Sequence, residues 1–258
     1  MEMKRSSIAL IILGYLFTAW MFLTASGSAS AAEVGVPLRH ANVNLSDTGS
    51  LQRGARYFVN YCLSCHSVSY MRYERMADDL DISHDILESN LMFAASKKGA
   101  LMKAAMTEEQ GKEWFGKAPP DLSVMARVKS PDYLFTYLTG FYPDSSSATG
   151  WNNVVYPQVA MPHVMWEQQG MQEPIQAEGE DKGTAGSGAP TEFKQLQAGM
   201  MSSSEFDTAM HDLTSFLVYV AEPAKLKRYT IGLWVLMFLG VLLTLTWFLK
   251  KEYWRDVH

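Results

Sequence analysis

The sequence predicts an all-α domain with long loops and one C-terminal membrane helix, and three observations carry that prediction. Apolar and aromatic residues recur at three- and four-residue steps in several segments, and no run alternates as a half-buried strand does. The 21 residues from Tyr229 to Leu249 carry no charge. With 48% hydrophobic and 19% charged residues, the 258-residue chain can bury a core, which excludes disorder. Two cysteines are too few for a disulfide scaffold, and no internal repeat is evident. A net charge of -5 gives no electrostatic footprint for nucleic acid, so no nucleic-acid partner is expected, and long-range attraction favours cationic partners.

Taken in order, residues 1–31 begin with Lys4 and Arg5, run uncharged from Ile8 to Leu23, and end in Ala29-Ser30-Ala31. That is the layout of a cleaved secretory signal, with an uncleaved anchor helix as the alternative. Residues 32–222 then form the exported domain, with 24 Asp and Glu against 17 Lys and Arg between residues 32 and 228. Residues 223–258 form the anchor and a short tail. At about 1.5 Å per residue, Tyr229 to Leu249 reaches roughly 31 Å, one membrane crossing. Trp234, Trp247, Tyr229 and Tyr253 suit the interfaces. Basic residues flank both ends equally (Lys225, Lys227 and Arg228; Lys250, Lys251 and Arg255), so the export signal sets the orientation and the C-terminus is expected in the cytoplasm.

Within the domain, Gly54, Tyr57, Phe58 and Tyr61 share one helical face. Ser130-Pro131-Asp132 reads as N-cap, first-turn proline and acid, with Gly140 as the C-cap and Tyr133, Leu134, Tyr137 and Leu138 facing inward. Ser204 with Asp207 suggests a capping box ahead of an apolar stripe of Phe206, Met210, Leu213, Leu217 and Val220. Packing of this last helix on the first closes the domain, and Pro223 separates it from the membrane helix.

Both cysteines fall in Cys62-Leu63-Ser64-Cys65-His66, the spacing of covalent c-type haem attachment. Two thiols separated by two residues each form a thioether to one vinyl group, and the adjacent imidazole of His66 lies under the iron. Zinc would want further Cys or His at comparable spacing, and the other five histidines are scattered singly. A dithiol redox centre would want a βαβ pattern, which is missing. The sixth iron position is methionine in a high-potential carrier and open in a ligand-binding haem. Of sixteen methionines, Met161 lies in Tyr156-Pro157-Gln158-Val159-Ala160-Met161-Pro162, where prolines hold the backbone extended. Core filler is the plain alternative for any methionine.

Four stretches combine into a resemblance: Arg53-Gly54 through Cys62-Leu63-Ser64-Cys65-His66-Ser67, Ala118-Pro119-Pro120-Asp121-Leu122-Ser123, Tyr133 through Leu138-Thr139-Gly140-Phe141-Tyr142, and Tyr156-Pro157 through Ala160-Met161-Pro162. With the membrane helix after Ala221-Glu222-Pro223, they resemble the cytochrome c1 family, the haem subunit of the quinol–cytochrome c reductase (cytochrome bc1) complex. The resemblance implies a class I c-type cytochrome-like domain around one covalent haem c, bound through Cys62 and Cys65. His66 and Met161 become the axial ligands, and Pro120, Arg127 and Tyr133 haem contacts. It implies an electron-transfer subunit that is no enzyme on its own, taking electrons from the Rieske iron-sulfur protein beside a cytochrome b subunit and passing them to a soluble or membrane-bound cytochrome c. The implied location is a bacterial inner membrane, with the haem domain in the periplasm. The rival readings are a mono-haem subunit of another respiratory oxidase and a haem protein with an open iron.

Two departures stand out. Arg127-Val128-Lys129 replaces the family's frequent Arg-x-Arg, which weakens bidentate pairing to a haem propionate at Lys129. Gln169 to Gly199 has the composition of a solvated loop and is assigned no chemistry. The acidic run Glu74, Asp78, Asp79, Asp81, Asp85 and Glu88 is either a hydrated face or a steering field for a basic cytochrome.

Overall fold

The computed structural model describes residues 37–175 and 192–256. The expected signal segment lies outside these residues, as does the middle of the Gln169–Gly199 stretch.

Two helices make the heart of the domain, α1 (Thr48–Tyr57) and α8 (Ser203–Ala221). Gly54 lets them approach, because a Cβ there would sit 2.1 Å from the Asp212 carbonyl oxygen and 2.7 Å from Phe216 Cβ. Below that contact Phe58 and Phe216 meet with ring centroids 5.6 Å apart. Above it the buried Asp212 carboxylate accepts from Ser50 Oγ at 2.6 Å and from Arg53 Nε at 2.6 Å and Nη2 at 3.1 Å. The guanidinium fork satisfies a carboxylate that would be costly to bury alone. Phe206, Met210, Leu213, Leu217 and Val220 are all buried, as their helical spacing predicts.

The capping box of α8 is formed by Ser202 and Glu205, two residues earlier than expected from Ser204 and Asp207. Asp207 is engaged elsewhere, holding Arg39 at 2.5 and 3.0 Å, so it cannot also close the helix end. Between α1 and α8 the chain lays down α2 (Tyr73–Asp79), α3 (His84–Asn90), α4 (Glu108–Phe115), α5 (Met125–Lys129), α6 (Pro131–Thr139) and α7 (Trp166–Gln169). The start of α6 is as expected: Ser130 Oγ accepts from Tyr133 N at 3.2 Å with Pro131 in the first turn. Gly140 ends it without entering the left-handed region (φ -97°). What requires glycine there is space, since a Cβ would lie 2.7 Å from both the Thr136 carbonyl oxygen and Val154 Cγ2.

Three antiparallel strand pairs accompany the helices: β1 (Val68–Arg72) with β2 (Leu101–Met102), β3 (Phe141–Pro143) with β4 (Trp151–Asn153), and β5 (Gly170–Pro174) with β6 (Phe193–Ala198). Strands of two to six residues, two pairs of them with register shifts, carry too little alternation to be read from sequence. The β5–β6 pair corrects the reading of Gln169–Gly199 as a solvated loop. Its flanks are paired backbone, and Gly170 (φ +80°) packs so closely that a Cβ would meet the Gln197 carbonyl oxygen at 2.2 Å.

The anchor α9 (Lys225–Tyr253) begins four residues after α8 ends, with Pro223 between. Its apolar span, Lys227–Tyr253, is 27 residues, about 40 Å of helix, and large side chains such as Trp234 and Leu243 are exposed along it. One helix of this length and composition fits a single-pass membrane anchor.

The acidic run is less of a free field than its composition suggests. Asp79 accepts from Tyr219 Oη at 3.0 Å and Lys227 Nζ at 3.2 Å and pairs with Arg75 at 3.2 Å, Asp78 pairs with His84, and Glu88 pairs with Lys98.

Candidate functional site

The Cys62–His66 motif follows α1 through a π-helical turn, Phe58–Cys62, in which Leu63 N donates to the Phe58 carbonyl at 2.9 Å. Such widened turns recur at functional sites. The chain then folds back on Cys62, whose carbonyl accepts from both Cys65 N (3.1 Å) and His66 N (2.8 Å). Cys62 is buried, Cys65 and His66 are half-buried, and both thiols are free.

The Pro-Pro-Asp-Leu-Ser run fixes the imidazole. His66 Nδ1–H donates to the Pro120 carbonyl at 2.8 Å, which leaves Nε2 with its lone pair. Burial lowers the His66 pKa, while the Pro120 carbonyl and Asp121 pull the other way. The result is a neutral ring in a set tautomer, the form a metal needs. The run is itself clamped to the chain after the motif. Asp121 accepts from Ser69 N at 3.0 Å and Ser123 N at 2.8 Å, Ser123 Oγ accepts from Tyr70 N at 3.1 Å, and Leu122 N donates to the Ser67 carbonyl at 2.8 Å. Burial would raise the Asp121 pKa, but these serine contacts outweigh it and hold the carboxyl below its ordinary value.

Met161 lies in a segment between β4 and α7 that has neither helix nor strand of its own. Its sulfur accepts from Tyr137 Oη at 3.4 Å. Tyr137 lies along Tyr133 (6.3 Å, 13°) and edge-on to Phe141 (5.2 Å, 75°), all three from α6 and its continuation. Burial, then Tyr133 and Tyr156, raise the Tyr137 phenol above its ordinary pKa, so it is a neutral donor. The sequence left Tyr137 with no role beyond packing. The signal that could have found it is its place one turn after Tyr133 on the same face.

Three glutamines, again unassigned by sequence, hold the segment after Met161. Gln168 Nε2 donates to Tyr61 Oη at 3.0 Å, directly beside Cys62, while Gln169 and Gln172 both donate to the Thr139 carbonyl, at 3.0 and 2.8 Å. The two candidate ligand segments are thus tied to each other and to α6.

The remaining expected contacts separate. Pro120 acts through its carbonyl on His66, and Tyr133 is buried beside Tyr137. Arg127 is exposed on α5 and has no acidic partner among the described residues, while Lys129 Nζ lies 5.3 Å from the Tyr133 ring centroid.

Comparison with known proteins identifies the family. The model of the Cytochrome C1 family matches residues 196–257, covering the end of β6, α8 and the anchor. The chain is 46% identical to the cytochrome c1 of Allochromatium vinosum over 96% of this chain and 99% of that one. It is 43% identical to the ammonia monooxygenase gamma subunit of Nitrosomonas europaea over 86% and 90%, and 25% identical to the cytochrome c1 of Rhodospirillum rubrum over 96% and 98%. Identity of 46% across nearly the whole of both chains shows that this chain belongs to the cytochrome c1 family.

Proposed function

We propose that single electrons from a Rieske iron-sulfur protein cross this chain through a haem held by Cys62, Cys65, His66 and Met161, and leave to a soluble or membrane-bound cytochrome c. As a cytochrome c1, the chain carries one covalently attached haem c and is the electron-transfer subunit of a quinol–cytochrome c reductase, not a catalyst by itself. The haem supplies the one-electron couple. The protein binds it, sets its ligands and places it.

In this reading Cys62 and Cys65 form the thioethers, His66 Nε2 and Met161 Sδ are the axial ligands, and Pro120 and Tyr137 orient them. The contact of His66 Nδ1 with the Pro120 carbonyl carries the proposal, because it leaves one neutral nitrogen of the right tautomer beside two closely spaced cysteines that no disulfide joins. That donor set suits a haem c. Arg127 and Lys129, together on the short α5, are the candidates for a propionate, and Tyr133 for the porphyrin wall. The Nitrosomonas relative is named for a different oxidation; the family model and the Allochromatium and Rhodospirillum relatives favour cytochrome c1.

The assembly reading follows. The anchor would sit beside a cytochrome b subunit in a bacterial inner membrane, after removal of residues 1–31, with residues 32–222 in the periplasm and the tail after Leu249 in the cytoplasm. Haem staining of denaturing gels tests the attachment. Stain should persist on the parent band and vanish in a Cys62→Ala/Cys65→Ala double variant; a band colourless in the matured parent would overturn the proposal.

A further inference from the structure

A thioether is a neutral ligand on a segment without secondary structure, so something must hold that segment in place. Two residues beyond Met161, the His163 ring is only 3% exposed. It lies parallel to Phe141 (4.8 Å, 1°) and meets the edges of Trp151 (5.1 Å, 77°) and Phe206 (6.4 Å, 86°). Phe141 in turn abuts Tyr137, whose hydroxyl reaches the Met161 sulfur. The contacts therefore close a ring: Met161 is gripped at its sulfur by Tyr137 and along its backbone through His163, and both grips rest on Phe141.

An aromatic box of this kind could be filled by an apolar ring. It holds instead an imidazole whose Nε2 is buried without a partner, and Gln169 Oε1 is likewise buried and unpartnered. The Gln169 amide is oriented by its own donation to the Thr139 carbonyl at 3.0 Å. Both orphaned atoms belong to side chains of the segment that follows Met161. An Nε2–H tautomer of His163 would offer the donor that the Gln169 carbonyl oxygen lacks.

We propose that His163, acting with Gln169, is a positioning residue for the axial methionine, pinning the Met161 segment to the Phe141–Trp151–Phe206 box so that the sulfur stays seated. This rests on Met161 being the sixth ligand.

The test uses the solubilised holoprotein and follows the near-infrared sulfur-to-iron band, carbon monoxide binding to the reduced form, and far-ultraviolet circular dichroism on warming. The parent should lose band and helix together and exclude carbon monoxide. His163→Leu and Gln169→Leu should lose the band at a lower temperature than the helical signal and admit carbon monoxide to the reduced haem. Thr214→Val, at a buried hydroxyl on α8 outside the box, should behave as the parent in both respects. If His163→Leu fails to fold, Gln169→Leu decides alone. Variants that lose band and helix together and still exclude carbon monoxide would overturn the brace. Met161→Leu separates the two ideas: a band surviving that change would overturn the ligand assignment itself.

Discussion

Replacing Tyr137 by phenylalanine removes one atom from the candidate site and leaves its packing in place. The ring would still lie along Tyr133 and against Phe141, while the Met161 sulfur loses the hydroxyl 3.4 Å away. That hydroxyl competes for sulfur electron density which ferric iron needs more than ferrous iron, so its loss should stabilise the ferric state and lower the potential. A neutral hydrogen bond contributes about 0.5–1.5 kcal/mol net, and only the part that differs between oxidation states counts, so about 1 kcal/mol is the ceiling. For a one-electron couple a tenfold change in equilibrium is about 59 mV, which makes the ceiling about 40 mV. Potentiometric titration of the purified chain, followed at the haem α-band, reads this directly. An unchanged or raised potential would refute the donor role of Tyr137. A drop far beyond about 60 mV would mean that the ligand itself had been lost.

Gly54→Ala sets helix propensity against space: alanine favours a helix by about 1 kcal/mol, yet its Cβ would fall 2.1 Å from a backbone oxygen that cannot turn away. Overpacking should win by about 1–3 kcal/mol, seen as a lower melting temperature, and a higher one would contradict the close α1–α8 contact. Ser202→Ala removes the capping box of α8 and should cost about 1 kcal/mol in the same melt, whereas Ser204→Ala should cost little; the reverse order would move the cap back to the position read from sequence. The Asp121 carboxyl is held below its ordinary pKa, so its contribution is complete above the ordinary carboxylate range and fades as pH falls through the depressed folded value. Asp121→Asn should therefore flatten the acid limb of the stability profile below about pH 4, by a small amount because the group is largely solvated, and an identical acid limb would count against the clamp.

The parts legible in the sequence were those in which chemistry or period dictates residue type. The stripe from Phe206 to Val220, the Ser130-Pro131 start of α6 and the uncharged C-terminal helix all stand where expected, and the two cysteines and His66 share one turn as their spacing requires. The rest depended on long-range partners. Glutamine is the plainest case: Gln169 and Gln172 fall in the stretch read as a solvated loop and Gln168 just before it, yet all three are buried because Tyr61, Thr139 and Phe141 offer oxygens from over 25 residues away. His163 looked like one of several scattered histidines until Phe141, Trp151 and Phe206 enclosed it. Asp79 looked like one charge in an acidic field, but Tyr219 and Lys227 reach it from α8 and α9. The capping box moved because Arg39, more than 160 residues earlier, takes Asp207. The π-helical turn before Cys62 has no residue signature, and strands this short have no period to read.

Near-infrared magnetic circular dichroism of the oxidised, purified chain tests the axial pair most directly, because the charge-transfer energy of low-spin ferric haem depends on which two ligands hold the iron. The account requires the histidine–methionine signature in the parent and its disappearance in Met161→Leu. A bis-nitrogen or high-spin signature in the parent would contradict it.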